Sequence, residues 1–141
     1  MCLFCEPLME KPTVNTRKGT LMLIEPGIIK LVLKENAEWN LEDAKETHKA
    51  NLELSKGQKF CVLLNASRFF IPTNEANAYI ASKECTEHRI GAAFVVKNPG
   101  MQLLGNLFLR TFKSKSATRI FKTEEAALKW LRGLYKDAMK N

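Results

Sequence analysis

The chain has 141 residues, with 22 lysines and arginines against 15 aspartates and glutamates, a formal net charge of +7 and 45% hydrophobic residues. A chain of this length buries roughly two-thirds of its unfolded surface in one core, which makes disulfide staples or a structural metal unnecessary and leaves no room for a second domain. No apolar run approaches the ~20 residues of a membrane span, and Met1-Cys2-Leu3-Phe4-Cys5-Glu6 lacks the basic and apolar regions of a signal peptide, so a cytoplasmic location is expected.

Residues 1–18 carry Pro7 and Pro12 and no sustained period, which predicts an irregular N-terminal arm ahead of a single domain over residues 19–141. Cys2 and Cys5 have a spacing that suits a metal or a redox pair. They precede any strand, however, and no second pair completes a zinc set, so no metal is expected and Leu3 and Phe4 read as an anchor for the arm. Without a secretory signal the four cysteines are expected to be thiols.

Thr20–Glu25 and Ile28–Lys34 are β-rich runs flanking Pro26-Gly27 and predict a hairpin. Asn40, followed by Leu41, Glu42 and Asp43, offers a capping side chain and two acids in a positive first turn. A helix over Leu41–Lys56, leaving at Gly57, is the expectation. Phe60–Leu64 is apolar without interruption, the mark of a strand covered on both faces at the centre of a sheet. Thr73 caps a second helix that is expected to end at His88, with Ala76, Ala78 and Ala81 suiting close approach to the sheet. Ile90–Val96 is another buried strand, stopped by Asn98-Pro99-Gly100.

A third helix over Met101–Phe112 is apolar around much of its circumference. Ala117–Phe121 reads as an edge strand on which Arg119 discourages further pairing. Thr123 caps the last helix, with Glu124 and Glu125 in its first turn and a buried stripe of Ala127, Trp130, Leu131, Leu134 and Ala138. The order β-β-α-β-α-β-α-β-α predicts an α/β fold: a mainly parallel sheet with an N-terminal β-hairpin and four helices, without internal repeats.

The chemistry is sparser. His48 lies at the edge of the buried stripe of the first helix and His88 at a helix end, both explained without catalysis. No paired-carboxylate motif and no glycine-rich phosphate loop occurs, so no catalytic residue, no cofactor and no enzyme activity are expected. Arg110, Lys113, Lys115, Arg119 and Lys122 follow one another without an acid. They read as a helix C-terminus and a solvated loop; without aromatic stacking partners, nucleic acid is not expected, and neither is membrane contact. The third helix is the anomaly: with one face on the sheet, Leu103, Leu107 or Leu109 is left for a partner protein or for a homodimer, unless the arm covers it.

Three stretches together carry a family resemblance. They are Val62-Leu63-Leu64-Asn65-Ala66-Ser67 leading to Phe69-Phe70-Ile71-Pro72-Thr73, then Phe94-Val95-Val96-Lys97-Asn98-Pro99 with the apolar helix after it, and Ile120-Phe121-Lys122-Thr123-Glu124-Glu125-Ala126-Ala127-Leu128. In order and spacing the chain resembles the STAS domains, the sporulation anti-sigma-factor antagonists, over roughly Thr20 to Ala138. The resemblance implies a small β-α superhelical domain that acts in bacterial regulation by binding another protein. It also implies a phosphoswitch, because the family's modified serine at a helix start corresponds here to Pro72-Thr73-Asn74-Glu75, where Thr73 is the hydroxyl. As a residue, Thr73 is first an N-cap, worth about 1 kcal/mol. The expected partner surface is Asn65, Ser67, Thr73, Asn74 and Glu75 together with Leu103, Leu107 and Phe108 of the third helix. The alternative is a carrier or sensor of a small apolar or lipid-like ligand held between the sheet and that helix.

Overall fold

A computed structural model of the chain describes residues 11–34, 37–65, 70–100 and 116–140. Its strands are β1 (Thr13–Asn15), β2 (Gly19–Glu25), β3 (Ile28–Leu33), β4 (Ala37–Trp39), β5 (Phe60–Asn65), β6 (Phe70–Pro72), β7 (Arg89–Val95) and β8 (Ala117–Phe121). The helices are α1 (Leu41–Ser55), α2 (Asn74–Ile80), α3 (Lys83–Thr86) and α4 (Glu124–Met139). Six strands form one mixed sheet in the order β1-β2-β3-β5-β7-β8, and β4 and β6 form a separate parallel pair.

The hairpin β2–β3 turns on Pro26-Gly27 with Gly27 at φ +78, the left-handed position that a type II turn requires after proline. A bulge at Ile24 takes up the change of register beside the turn. From β3 onward the pairing is parallel, β3 with β5, β5 with β7 and β7 with β8. The uninterrupted apolar run puts β5 inside the sheet, because its side chains must be covered in both directions. Phe60, Val62 and Leu64 join the core under α1 with Leu31, Leu54 and Ala92, while Cys61 and Leu63 join the core under α4 with Ala93, Val95 and Leu131. Burial pushes the Cys61 thiol up to about 12, which keeps it protonated.

Side chains from both ends of the chain fix α4 against the sheet. Arg132 makes a bidentate pair with Glu25, both bonds at 2.8 Å, and this donor pair holds the Glu25 carboxyl below the usual range. Lys30 donates to Glu124 Oε1 at 2.9 Å. At Gly91 a Cβ would stand 2.6 Å from Leu134 Cδ1, so the absence of a side chain there lets the helix approach the sheet closely.

Two sequence expectations need correction. Thr13–Asn15, inside the arm expected to be irregular, is an edge strand paired from Thr13↔Met22 to Asn15↔Thr20; its order comes from β2, since three residues carry no period of their own. The second helix does not run on to His88. It breaks at Ala81-Ser82, where Ser82 takes an extended backbone and donates its hydroxyl to Tyr79 O, and a short α3 follows. His88 stands beyond α3, and its carbonyl accepts from Phe60 N at 2.9 Å. Of the three alanines expected to let that helix approach the sheet, Ala76 is buried, Ala81 half-buried and Ala78 exposed. The third helix expected over Met101–Phe112 lies outside the described residues, as do Cys2 and Cys5.

Candidate functional site

The starts of α1 and α2 lie next to each other, because the strands that lead into them are paired. β4 and β6 run parallel with Trp39 opposite Pro72, and Thr73 N donates to Trp39 O at 2.8 Å. Each helix then opens on a side-chain cap. Asn40 Oδ1 accepts from Asp43 N at 2.9 Å, and Thr73 Oγ1 accepts from Ala76 N at 3.1 Å.

At α1 the cap is reciprocal, since Asp43 Oδ2 accepts from Asn40 N at 3.0 Å. The Asp43 side chain is 1% exposed and its Oδ1 takes a 3.0 Å bond from Arg17, which ties the β1–β2 connection to α1. Asp43→Ala is expected to cost about 2 kcal/mol, since it orphans the Asn40 amide and removes a buried acceptor. Arg17→Ala is expected to cost less, about 1 kcal/mol, because the buried Asp43 carboxylate loses one donor but keeps the Asn40 amide and Lys18 at 3.8 Å. Urea denaturation of both variants checks the ordering.

Of the expected partner-binding residues, Thr73, Asn74 and Glu75 come together at the start of α2, Thr73 half-buried and the other two exposed. Asn65 is drawn elsewhere. Its Nδ2 donates to Glu124 Oε2 at 2.9 Å on the α4 side of the sheet, so Glu124 bridges Lys30 and Asn65. These two donors and the charge of Lys30 and Lys97 outweigh its desolvation and hold the Glu124 carboxyl below its ordinary range. Ser67, Leu103, Leu107 and Phe108 lie outside the described residues.

A second polar group, not anticipated from sequence, sits farther along α1 and α2. His48 is buried and meets the Tyr79 ring edge-on at 6.1 Å, and burial pushes its pKa down despite the nearby Glu84 carboxylate. Tyr79 donates its hydroxyl to Glu84 Oε2 at 2.6 Å, and burial together with that bond raises the phenol. Arg89 is desolvated, which lowers its pKa, and donates to Ser116 Oγ at 3.1 Å and Ile80 O at 2.9 Å. Among the described residues no three His, Cys, Asp or Glu side chains are placed to hold a metal ion, and no helix is long and apolar enough to cross a membrane.

Residues 22–135 match the family described as a domain of unknown function, DUF7793. The chain belongs to the DUF7793 family. No curated protein matches this DUF7793 chain. Among solved structures it is similar to an uncharacterized protein of the DUF3478 family with a SpoIIAA-like fold from Shewanella loihica PV-4. That pair has a TM-score of 0.50 and 14% identity over 86% of this chain and 92% of the other. A second similar structure is the Bacillus cell fate determinant SpoIIAA in its phosphorylated form, at a TM-score of 0.45 and 11% identity over 79% of this chain and 97% of that one. The fold of this DUF7793 domain is therefore SpoIIAA-like, which is the STAS-like architecture expected from the sequence.

Proposed function

We propose that this DUF7793 domain is a regulatory module that acts by binding another protein, without catalysis, through the start of α2. One observation carries the reading. In a SpoIIAA-like fold, the helix that follows the buried strand β5 begins on a hydroxyl, Thr73, with Asn74 and Glu75 exposed beside it. The parallel β4–β6 pair and the Thr73 N bond to Trp39 O favour a rigid presentation of this turn. Rigidity of that kind lowers the ordering cost of association. A phosphoryl group on Thr73 Oγ1 would face the free amides of the first turn, which favours it, while Glu75 in the same turn opposes it. Modification would therefore change the charge of the surface more than the fold.

The remaining expected contacts, Ser67 and the third-helix residues Leu103, Leu107 and Phe108, belong to this proposed surface, whereas Asn65, held by Glu124 on the α4 side, is left out of it. A homodimer through the third helix belongs to the same proposal. A second reading, a sensor of a small apolar ligand, is favoured by a cavity between the sheet and α1.

The test is a variant series against the partner recovered with the wild-type chain. Thr73→Ser, which keeps both cap and hydroxyl, is expected to bind as wild type does. Thr73→Glu is expected to weaken binding at least tenfold, and Lys129→Gln, on the exposed side of α4, to leave it unchanged. Equal binding by all three variants would count against the α2 surface.

A further inference from the structure

Around the Pro26-Gly27 turn, an open groove of about 470 Å3 lies between the end of α1 and Tyr135 of α4. Its apolar wall is Leu23, Pro26, Leu54 and Tyr135, and the exposed Lys56 and Lys59 also line it. Neither lysine has an ion-pair partner among the described residues. The acid in the lining, Glu25, is already neutralised, because Arg132 donates to both of its oxygens. Lys11 adds positive charge beside Glu25, with its ammonium on Ile24 O at 2.8 Å. The groove is therefore apolar inside and positive around its edge.

The described chain begins next to this groove. Leu23 N donates to Pro12 O at 2.9 Å, and the antiparallel register that sets Thr13 against Met22 has the chain enter β1 beside Glu25 and Pro26. Residues 1–10, outside the described residues, read Met-Cys-Leu-Phe-Cys-Glu-Pro-Leu-Met-Glu. In a chain of net charge +7 this stretch holds two acids, Glu6 and Glu10, and neither lysine nor arginine. It also carries large apolar side chains at Leu3, Phe4, Leu8 and Met9. At about 3.3 Å per extended residue, Leu8 has a reach of roughly 10 Å from Lys11 and Glu6 a reach of roughly 17 Å.

We propose that this groove is a docking surface for an acidic segment with apolar anchors, and that its occupant is the chain's own residues 1–10, with Leu8 and Met9 against Leu54 and Tyr135 and Glu6 beside Lys56 and Lys59. Charge and tethering select this occupant. An acidic stretch meets two ammoniums that have no other partner, and its apolar residues use a wall that a nucleic acid or a bare anion would leave wet. A segment joined to the edge of its own site is present at an effective concentration in the mM range, which a separate acidic chain in solution does not match. Docked there, residues 1–10 strap the hairpin turn to α1 and α4. The surface is separate from the one proposed at α2: the groove lies at Gln58 and Lys59, just before β5, whereas Thr73 follows the far end of that strand.

The cysteines make the test direct. Cys61 and Cys85 are buried, so in the full chain carrying Cys2→Ser a nitroxide reagent is directed to Cys5. In an NMR spectrum of that labelled chain, the amides of Lys56, Gln58, Lys59 and Tyr135 are expected to lose at least half of their intensity, and those of Thr73 and Asn74 to keep theirs. Replacing both exposed lysines, Lys56→Glu with Lys59→Glu, is expected to reduce that broadening at least twofold. In the unlabelled chain Leu8→Ser is expected to shift the same groove amides, which guards against a label that itself dislodges the segment. Broadening that disappears when the labelled chain is diluted into unlabelled chain assigns the groove to a second copy and overturns docking within one chain. Groove amides that respond neither to the label nor to Leu8→Ser, or broadening centred elsewhere, overturn the proposal outright.

Discussion

Leu131→Ala is expected to destabilise the domain by about 3–5 kcal/mol, in the upper part of the range for leucine deletions in a core. Leu131 is fully buried on α4 and packs with Cys61, Leu63, Ala93 and Val95 of the two inner strands. The size of the effect depends on whether the surroundings can collapse into the space. Here they cannot readily do so, because small residues already line the sheet at Gly91 and Ala93, where the helix lies close, and the Arg132–Glu25 and Lys30–Glu124 pairs hold α4 along its length. Lys129→Ala, on the exposed side of the same helix, is expected to stay within about 0.5 kcal/mol. Urea midpoints at unchanged slope read both. A loss below 1 kcal/mol at Leu131 would mean that α4 docks with a different face.

Gly27→Ala is the second large effect, about 3 kcal/mol, and it has two separable parts. The residue sits at φ +78, where an L side chain costs about 1–2 kcal/mol. An added Cβ would also lie 2.1 Å from Cε1 and 2.3 Å from Cζ of Tyr135, so the ring must leave its place against the hairpin. Tyr135 packs at the margin of the core under α4, so its displacement loses contacts there. In a Tyr135→Ala background the steric part is already gone, and Gly27→Ala is expected to cost only the backbone part. The coupling in that double-mutant cycle should be about 1–2 kcal/mol. Additive effects would place the Tyr135 ring elsewhere.

What was legible in the sequence is what local chemistry determines. The caps Asn40, Thr73 and Thr123 each accept from an amide three residues on, so a short window contains the whole interaction. Phe60–Leu64 announced a strand covered on both faces because no residue in it tolerates water. The charge on Arg119 marked an edge, and in the structure that side chain lies over the Phe121 ring at 5.3 Å on β8. The features that escaped are non-local or carry weak signals. β1 exists through its pairing with β2, and β4 and β6 through each other, across more than thirty residues of chain. The break after Ile80 occurs without glycine or proline, at Ser82, whose hydroxyl bonds back to Tyr79 O and does not cap α3.

The candidate site divides along the same line. Thr73 was visible as a hydroxyl at a helix start. That Asn65 is taken by Glu124, 59 residues away, was not, since its amide could equally have faced the other layer. Asn51 lies between Ala50 and Leu52 in a helix whose polar residues are exposed at Glu42, Lys45, Lys49 and Glu53 but buried at Asp43 and His48, and nothing in its sequence neighbourhood separates a buried amide from an exposed one. His48 was placed at the edge of the buried stripe, and it proves to be 8% exposed in the cavity wall.

The central claim is that this DUF7793 domain works by holding another protein through the start of α2. Its most direct test is native mass spectrometry of the tagged full chain isolated from the cells that make it, in wild-type and Thr73→Glu forms. The account predicts a stoichiometric protein complex for the wild type, with the complex lost or strongly reduced in Thr73→Glu while the chain itself remains folded. A chain recovered alone or with only a small molecule, or a complex equally abundant in both forms, would contradict it.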